Sequence, residues 1–148
     1  PVQKGFLREI YQHNLNLYLL PPEIGLPVSH SLLIQTPAIV WQTYLYLDSL
    51  EDKLPSDLID LNDVERKFNR RIKSNEIIIR KLPQIPGETS IVSVKEYFLH
   101  LERLGLVIKK SETLYQLKDR IYIPQSNREK EERRNEFLQK NKFILSNI

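Results

Sequence analysis

Apolar positions recur at helical spacing over residues 93–104, and the pattern then changes abruptly. The spacing places the apolar side chains on one face of a helix. Ser93 is a suitable N-cap for that helix, and Glu96 three residues later would complete a capping box. Gly105 supplies a residue that ends a helix in the left-handed conformation. The apolar face consists of Val94, Tyr97, Phe98, Leu101 and Leu104.

The residues after this helix predict a β-hairpin, with strands over 106–110 and 114–118 around a turn at 111–113. A helix followed by such a hairpin resembles the last third of a winged helix-turn-helix domain. Residues 101–107 read LERLGLV, which is similar to the L-E-x-x-G-L-V ending common in that superfamily. The resemblance implies an α+β fold in which the helix is the recognition helix and the hairpin is the wing.

Two more helices precede this segment. Thr36 as N-cap and Pro37 as first helical residue predict a helix that extends to about Leu50. A short strand is predicted over residues 57–61. Asn62, with Glu65 in a capping box, then predicts a second helix. The buried stripe of this second helix would contain Val64, Phe68 and Ile72.

The connection between the second and third helices is unusually long. A helix-turn-helix motif joins its helices through three or four residues, whereas here the gap is about twenty residues. Residues 76–80 look like a strand, and Pro83, Pro86 and Gly87 indicate a loop. We therefore predict a winged-helix core with an insertion between helices 2 and 3, and a different α+β arrangement stays open.

The remaining residues predict additions at both ends of a single domain. We expect an N-terminal extension packed on the core (1–36), the winged-helix domain (37–124) and a charged C-terminal helix or arm (125–148). Ser126 and Glu129 form another capping-box pattern, and residues 121–124 are compatible with an edge strand. Late apolar residues are candidates for contacts in a homodimer or with a partner protein. They are Phe137, Leu138, Phe143 and Ile144.

Composition indicates an ordinary globular protein, with 41% hydrophobic and 28% charged residues among 148. No apolar run approaches the roughly 18 residues needed to cross a membrane, so we predict no membrane span. The absence of cysteine excludes disulfides and thiolate zinc sites and is compatible with the cytoplasm. Methionine is also absent, and we expect the chain to be a piece of a longer protein.

Positive charge is concentrated in the middle of the chain. Residues 61–110 contain eleven basic and six acidic residues, whereas residues 1–60 contain three basic and seven acidic ones. Such a cluster on a helix could neutralise several phosphates and release counterions. It therefore predicts binding of double-stranded DNA, although an ordinary solvated helix face explains the charges equally well. The cluster comprises Arg66, Lys67, Arg70, Arg71 and Lys73. Helical spacing places Arg66, Arg70 and Lys73 opposite the buried stripe, with Lys67 and Arg71 on one flank.

The third helix and the hairpin add weaker candidates. Lys95, His100 and Arg103 are predicted to point outward from the third helix, where they could contact base edges or phosphates. Lys109 and Lys110 of the hairpin could contact a neighbouring phosphate. Alternatively, the lysines only protect an edge hairpin from pairing with other chains.

Signatures of catalysis are weak. His13, His30 and His100 are far apart in sequence, and none has a partner at metal-ligand spacing. Asp57 or Asp60, followed by Glu65-Arg66-Lys67, superficially resembles the carboxylate–lysine arrangement of many nucleases. In a helix, however, Lys67 would point away from Glu65. We predict no catalytic residue, no cofactor and no metal site.

Two further stretches carry a second resemblance. Residues 36–42 (TPAIVWQ) and 97–105 (YFLHLERLG) are similar to the C-terminal part of competence-protein CoiA-like nucleases. The matching residues include no catalytic motif, so the resemblance assigns no active-site residue. Three functions follow from the sequence: a DNA-binding domain in regulation or DNA processing, a protein-interaction or dimerisation module, and the non-catalytic C-terminal domain of a nuclease.

Overall fold

A computed structural model describes residues 4–28, 33–80 and 91–145 of the chain. Within these ranges the fold mixes helices with one small sheet, so the α+β prediction is confirmed. In chain order the elements are α1 (Lys4–Gln12), a 3-10 turn (Leu17–Leu19), α2 (Ala38–Ser49), β1 (Leu58–Asp60), α3 (Leu61–Lys73), α4 (Ile91–Arg103), β2 (Val107–Lys109), β3 (Leu114–Leu117), α5 (Asn127–Lys140) and α6 (Lys142–Leu145).

The three strands form an antiparallel sheet in which β3 lies between β1 and β2. Tyr115 of β3 is opposite Ile59 of β1 on one side and Lys109 of β2 on the other. The predicted helix–glycine–hairpin order is therefore confirmed, and Gly105 has a φ of +81° just after α4. Pairing of β3 with β1 brings the hairpin beside the junction between α2 and α3. Whether this order makes the domain a winged helix stays an interpretation.

Aromatic rings join the three central helices. Trp41 of α2 makes edge-to-face contacts with Phe68 of α3 and Tyr97 of α4, with ring centroids 5.9 and 5.7 Å apart. Such geometry stabilises ring pairs beyond their loss of exposed area. Trp41 and Tyr97 are almost completely buried, as the helical periodicity indicates. The core therefore lies where α2, α3 and α4 meet.

The N-terminal residues pack on this core. Phe6 of α1 contacts Tyr44 edge-on at 5.2 Å, and the proline-containing connector buries Ile24, Leu26 and Val28. Gln42 of α2 accepts hydrogen bonds from Gly25 N and Leu26 N and donates one to Leu26 O. These contacts hold the connector in place, while the three-part division of the chain stays a prediction.

Helix α5 lies against the connector and the end of the hairpin. Ser126 caps it, because its hydroxyl accepts a hydrogen bond from Glu129 N at 3.1 Å, as predicted. Phe137 packs partly buried on the core, and Arg133 lies over the Tyr122 ring at 4.7 Å. The predicted edge strand at residues 121–124 is wrong, since those residues have no strand pairing.

Three predicted N-caps are wrong. The Thr36 hydroxyl accepts a hydrogen bond from Ile78 N instead, and Pro37 is the residue before α2. Asp60, rather than Asn62, caps α3 by accepting from Asn62 N at 2.9 Å. Helix α4 begins at Ile91, so Ser93 lies inside its first turn.

The long connection after α3 is described only in part. The strand predicted over residues 76–80 is reduced to a single antiparallel bridge between Ile79 and Ile34. Ile77 is nevertheless buried, because it inserts into the same core as the helices. The predicted loop with Pro83, Pro86 and Gly87 lies outside the described residues, so the insertion itself stays a prediction.

Candidate functional site

The outer face of α3 collects exposed basic side chains. Val64 and Phe68 are buried toward the core, so the residues opposite them point to solvent. Arg66, Arg70 and Lys73 lie on this outer face and line one shallow depression. The same depression contains one carboxylate, that of Glu65, and two amides, those of Asn62 and Asn69. We call these six residues the α3 face.

Asn62 and Asn69 were not predicted as site residues, although their helical spacing relative to the basic residues could have indicated them. Residues 62, 66, 69 and 73 follow the helical spacing i, i+4, i+7 and i+11, which keeps them on one side of the helix. Because only charge was considered, Asn62 and Asn69 were left out. Amide groups donate hydrogen bonds to phosphate oxygens as well as to base edges.

Some cations of this helix are already engaged. Arg66 pairs with Asp63 one turn earlier but keeps 66% of its side chain exposed. Lys67 donates to the Asp48 carbonyl at 3.0 Å and lies 3.1 Å from the Asp63 carboxylate. The hydrogen bond with Lys67 lowers the pKa of Asp63 below its ordinary value. Lys67 is therefore less available to an external phosphate than Arg66.

Arg71 is a structural residue and does not belong to the α3 face. Its guanidinium binds three carboxylates, those of Glu9, Asp48 and Glu76, at 2.5 to 2.7 Å, and only 12% of the side chain is exposed. It also lies 4.1 Å from the centre of the Tyr44 ring. Arg71 was predicted to belong to the phosphate-binding cluster, but its guanidinium is occupied by these three carboxylates.

The ion pairs of Arg71 determine the charge states of the groups around it. Burial alone would lower the pKa of Arg71, but its hydrogen bonds with Asp48 and Glu9 raise it above the ordinary value. The Arg71 hydrogen bonds also lower the pKa of Glu9. Burial raises the pKa of Tyr44 to about 12, so its hydroxyl stays neutral at physiological pH. Arg71 thus joins α1, α2 and α3 as a permanent cation.

The three candidate nucleic-acid contacts on α4 differ in their exposure to solvent. Lys95 and Arg103 are exposed, as predicted. His100 is only 4% exposed, and its Nε2 lies 3.1 Å from the Pro27 carbonyl. The prediction that His100 points outward is wrong, because residues 21–28 cover that side of α4. Burial lowers the pKa of His100, which keeps the imidazole neutral.

The hairpin lysines are accessible. Lys109 and Lys110 are both exposed at the end of β2 and the start of the turn. Lys109 is 3.5 Å from Glu112, which is almost fully exposed, so solvent screens this pair strongly. Glu102 accepts a hydrogen bond from Lys109 N and places a carboxylate close to the hairpin. Both lysine side chains are therefore free to reorient toward an anion.

The acidic residues near β1 have structural partners. Asp60 caps α3, and Asp57 accepts a hydrogen bond from Leu54 N at 2.8 Å. Among residues 4–28, 33–80 and 91–145, no group of three or more histidine, aspartate or glutamate side chains is arranged to hold a metal ion. In the same ranges, no helix combines the length and the apolar character required to cross a bilayer.

Comparison with known families decides the family of this chain. The model of the family described as competence protein CoiA, C-terminal domain, matches residues 1–130. The chain belongs to this family. The match extends far beyond the two stretches whose sequence resembled CoiA, and it confirms that resemblance. No curated protein and no solved structure matches the chain significantly.

The residues that match the CoiA C-terminal family model contain the candidate surfaces of α3, α4 and the hairpin. Residues 1–130 contain the α3 face, the exposed cations of α4 and both hairpin lysines. The family match also covers α1 and the connector, which pack on the same core as α2 to α4. Most of α5 and all of α6 lie after the matched residues.

Proposed function

We propose that this CoiA C-terminal domain binds double-stranded DNA through phosphate contacts and acts in DNA processing during competence. The observation that carries the proposal is the α3 face, where Arg66, Arg70 and Lys73 are exposed within one depression. Two arginines four residues apart on a helix can address neighbouring phosphates with forked hydrogen bonds.

The proposal includes the interpretation of this fold as a winged helix. The chain order α2, β1, α3, α4, β2, β3 and the sheet order β1–β3–β2 agree with a helical core followed by a wing. In this interpretation Lys95 and Arg103 of α4 and the hairpin lysines Lys109 and Lys110 supply additional phosphate contacts. The contacts to phosphate would fix the position of the domain without reading sequence.

We further propose that the domain is the non-catalytic, DNA-holding part of a DNA-processing protein. The acidic residues that resembled a nuclease motif cap α3 or close a turn instead. Purified protein should therefore leave plasmid DNA intact in the presence of Mg²⁺ or Mn²⁺. Nicking that follows the protein through purification would contradict this part of the proposal.

A salt titration of duplex binding tests the main proposal. Wild type is compared with the double variant Arg66→Glu, Arg70→Glu by fluorescence anisotropy over a range of salt concentrations. Each lost phosphate contact should reduce the slope of log K against log salt by about 0.9, so we expect a reduction of about 2. The affinity of the double variant at low salt should fall at least tenfold.

A matched control makes this experiment specific. The double variant Arg128→Glu, Arg134→Glu introduces the same change of net charge on exposed positions of α5. It should bind duplex DNA almost as wild type does. Equal losses in both double variants would attribute binding to net charge, and unchanged binding in the α3 variant would place the interface elsewhere. No binding at tens of micromolar protein would end the proposal.

A second candidate function is self-association through the C-terminal residues. Leu138 is 46% exposed and Phe143 is 86% exposed, which leaves apolar area at the end of the chain in contact with solvent. We propose that these residues, with Phe137 and with Ile144, whose side chain lies outside the described part of the structure, contact a second copy. Sedimentation velocity should then detect a dimer that Phe143→Ser dissociates. A concentration-independent monomer would contradict this candidate.

A further inference from the structure

Two tyrosines near the N-terminus are among the most exposed aromatic residues in the described part of the chain. Tyr11 is 82% exposed and Tyr18 is 76% exposed. Most other tyrosines of the chain are buried. These are Tyr44, Tyr46, Tyr97 and Tyr115. Two large exposed rings that lie close together, on a protein that buries most of its aromatic side chains, indicate a surface used for binding.

The two rings line the same depression. It has a volume of about 720 Å³ and lies between the end of α1 and the 3-10 turn. Apolar side chains form much of its lining. These are Leu7, Ile10, Leu15 and Leu17. A flat aromatic ligand that enters this depression would remove apolar surface from water on both tyrosine rings.

The backbone that carries each ring is held by hydrogen bonds. Tyr11 O accepts from Asn14 N at 3.0 Å, in a tight turn where Asn14 has a φ of +59°. Tyr18 N donates to the Asn16 side chain at 2.9 Å, and Tyr18 O accepts from Lys130 Nζ at 2.6 Å. Since these positions are already ordered, less entropy is lost when a ligand stacks on the rings.

Positive charge borders the depression. At 100° per residue, Lys4, Leu7, Arg8 and Tyr11 share a sector of about 100° on the outside of α1. Lys4 and Arg8 are exposed, and neither forms an ion pair with any carboxylate in the described part of the chain. Glu9, the acidic residue of α1, is turned away toward Arg71. The apolar depression is therefore combined with unneutralised cations.

We propose that this tyrosine patch, formed by Lys4, Leu7, Arg8, Tyr11 and Tyr18, binds single-stranded nucleic acid. Unpaired bases would stack on the two rings, and Lys4 and Arg8 would contact the backbone phosphates. Stacking on aromatic side chains tolerates any base, because every base has a π face. The unpartnered cations favour a polyanion over an apolar protein segment. This inference uses none of the residues of the α3 face, so either proposal can fail alone.

Fluorescence anisotropy with three labelled probes tests the inference. The probes are a short oligothymidine, an abasic oligomer of the same length and a duplex. Wild type should bind oligothymidine at least about fivefold more tightly than the abasic oligomer, since stacking requires bases. The double variant Tyr11→Ala, Tyr18→Ala should lose at least about tenfold in oligothymidine affinity and keep its duplex affinity.

Conservative and distant variants serve as controls. Tyr11→Phe with Tyr18→Phe should retain binding, because the ring remains, and Tyr122→Ala should have no effect, because that partly exposed ring lies outside the patch. Circular dichroism should give the wild-type spectrum for every variant. Equal affinity for oligothymidine and the abasic oligomer, or unchanged binding after loss of both rings, would overturn the inference. So would a dimer that dissociates when Tyr11 and Tyr18 are replaced by alanine, because a second copy would then occupy the patch.

Discussion

The guanidinium of Arg71 donates two hydrogen bonds to the carboxylate of Glu9, from Nη1 to Oε1 at 2.7 Å and from Nη2 to Oε2 at 2.5 Å. This bidentate pair joins α3 to α1 across 62 positions of sequence. Asp48 on α2 binds the same guanidinium through Nε and Nη2. A single cation therefore holds three helices together, and its planar fork suits the task in a way that lysine cannot match.

Replacement of Arg71 by methionine should lower the free energy of unfolding by about 2–3 kcal/mol. Removing one partner of a fully buried ion pair costs about 3–5 kcal/mol, because the remaining charge is left unpaired. The three carboxylates here keep 21% to 36% of their side chains exposed, which reduces the expected cost. Urea denaturation monitored by Trp41 fluorescence measures the change.

The neighbouring residue provides the control for this substitution. Arg70 is exposed on the α3 face, and Arg70→Met should change stability by no more than about 0.5 kcal/mol. In duplex binding the order should be reversed. Arg70→Met should weaken binding, whereas Arg71→Met should not, because only Arg70 is expected to contact DNA. Equal stability loss in both variants would contradict the assignment of Arg71 as the structural residue.

Sequence periodicity placed Arg70 opposite the buried stripe of α3 and Arg71 on its flank, but it could not predict the partners of Arg71. Val64 and Phe68 fix which side of α3 is buried, so the outward direction of Arg66, Arg70 and Lys73 could be predicted. Arg71 lies at the boundary of the stripe, where a long side chain can turn either way. Its direction is decided by Glu9 and Asp48, which come from helices that the chain brings close only on folding.

Gln42 is a second residue whose importance could not be read from sequence. A glutamine in an apolar helix face looks like an isolated polar residue, yet its side chain is 0% exposed and makes three hydrogen bonds with the connector. Gln42→Leu should cost about 2–4 kcal/mol, because Gly25 N, Leu26 N and Leu26 O lose their partner. Chemical denaturation would measure this loss.

A glutamine on another helix is the comparison for Gln42. Gln139 of α5 is exposed, and its side chain makes no hydrogen bond among the described residues, so Gln139→Leu should leave stability within about 0.5 kcal/mol of wild type. Hydrogen exchange of Gly25 and Leu26 amides should accelerate in Gln42→Leu alone. Unchanged exchange of both amides would mean that the connector is held by other contacts.

Two glycines should respond in opposite directions to the same substitution. Gly105 has a φ of +81°, and a Cβ there would meet no atom within 4 Å, so only backbone strain opposes alanine. Gly105→Ala should therefore cost about 1–2 kcal/mol. Gly5 lies inside α1 with equally open space, and Gly5→Ala should add about 0.5 kcal/mol through helix propensity. Thermal unfolding of both variants tests the difference, and a stabilising Gly105→Ala would refute the left-handed helix end.

The predicted caps at Thr36, Asn62 and Ser93 were wrong because a side chain that is able to cap a helix does not by itself decide where the helix begins. Ser, Thr and Asn side chains are competent caps, but the sequence cannot tell which of several adjacent polar residues stands at the first turn. Thr36 bonds Ile78 N, a partner 42 positions away. Asp60 directly precedes the first residue of α3, and its carboxylate accepts the hydrogen bond from the backbone N–H of Asn62. At Ser126 the prediction was confirmed, although the adjacent Asn127 is an equally competent cap.

Acid should destabilise the protein through His100. Burial lowers the pKa of His100 in the folded state below its ordinary value of about 6.5, Glu96 opposes this shift and Arg103 adds to it. The unfolded chain therefore takes up the proton first, so the stability from neutral His100 is complete above about pH 6.5 and declines as pH falls. The position of Nδ1 agrees, because it is buried and has no hydrogen-bond partner among the described residues, whereas the hydrogen bond between Nε2 and Pro27 O opposes the downward shift of the pKa. Denaturation midpoints between pH 5 and 7.5 should fall for wild type and fall less for His100→Gln, whose amide cannot titrate. Parallel pH profiles for the two proteins would show that other groups cause the acid sensitivity.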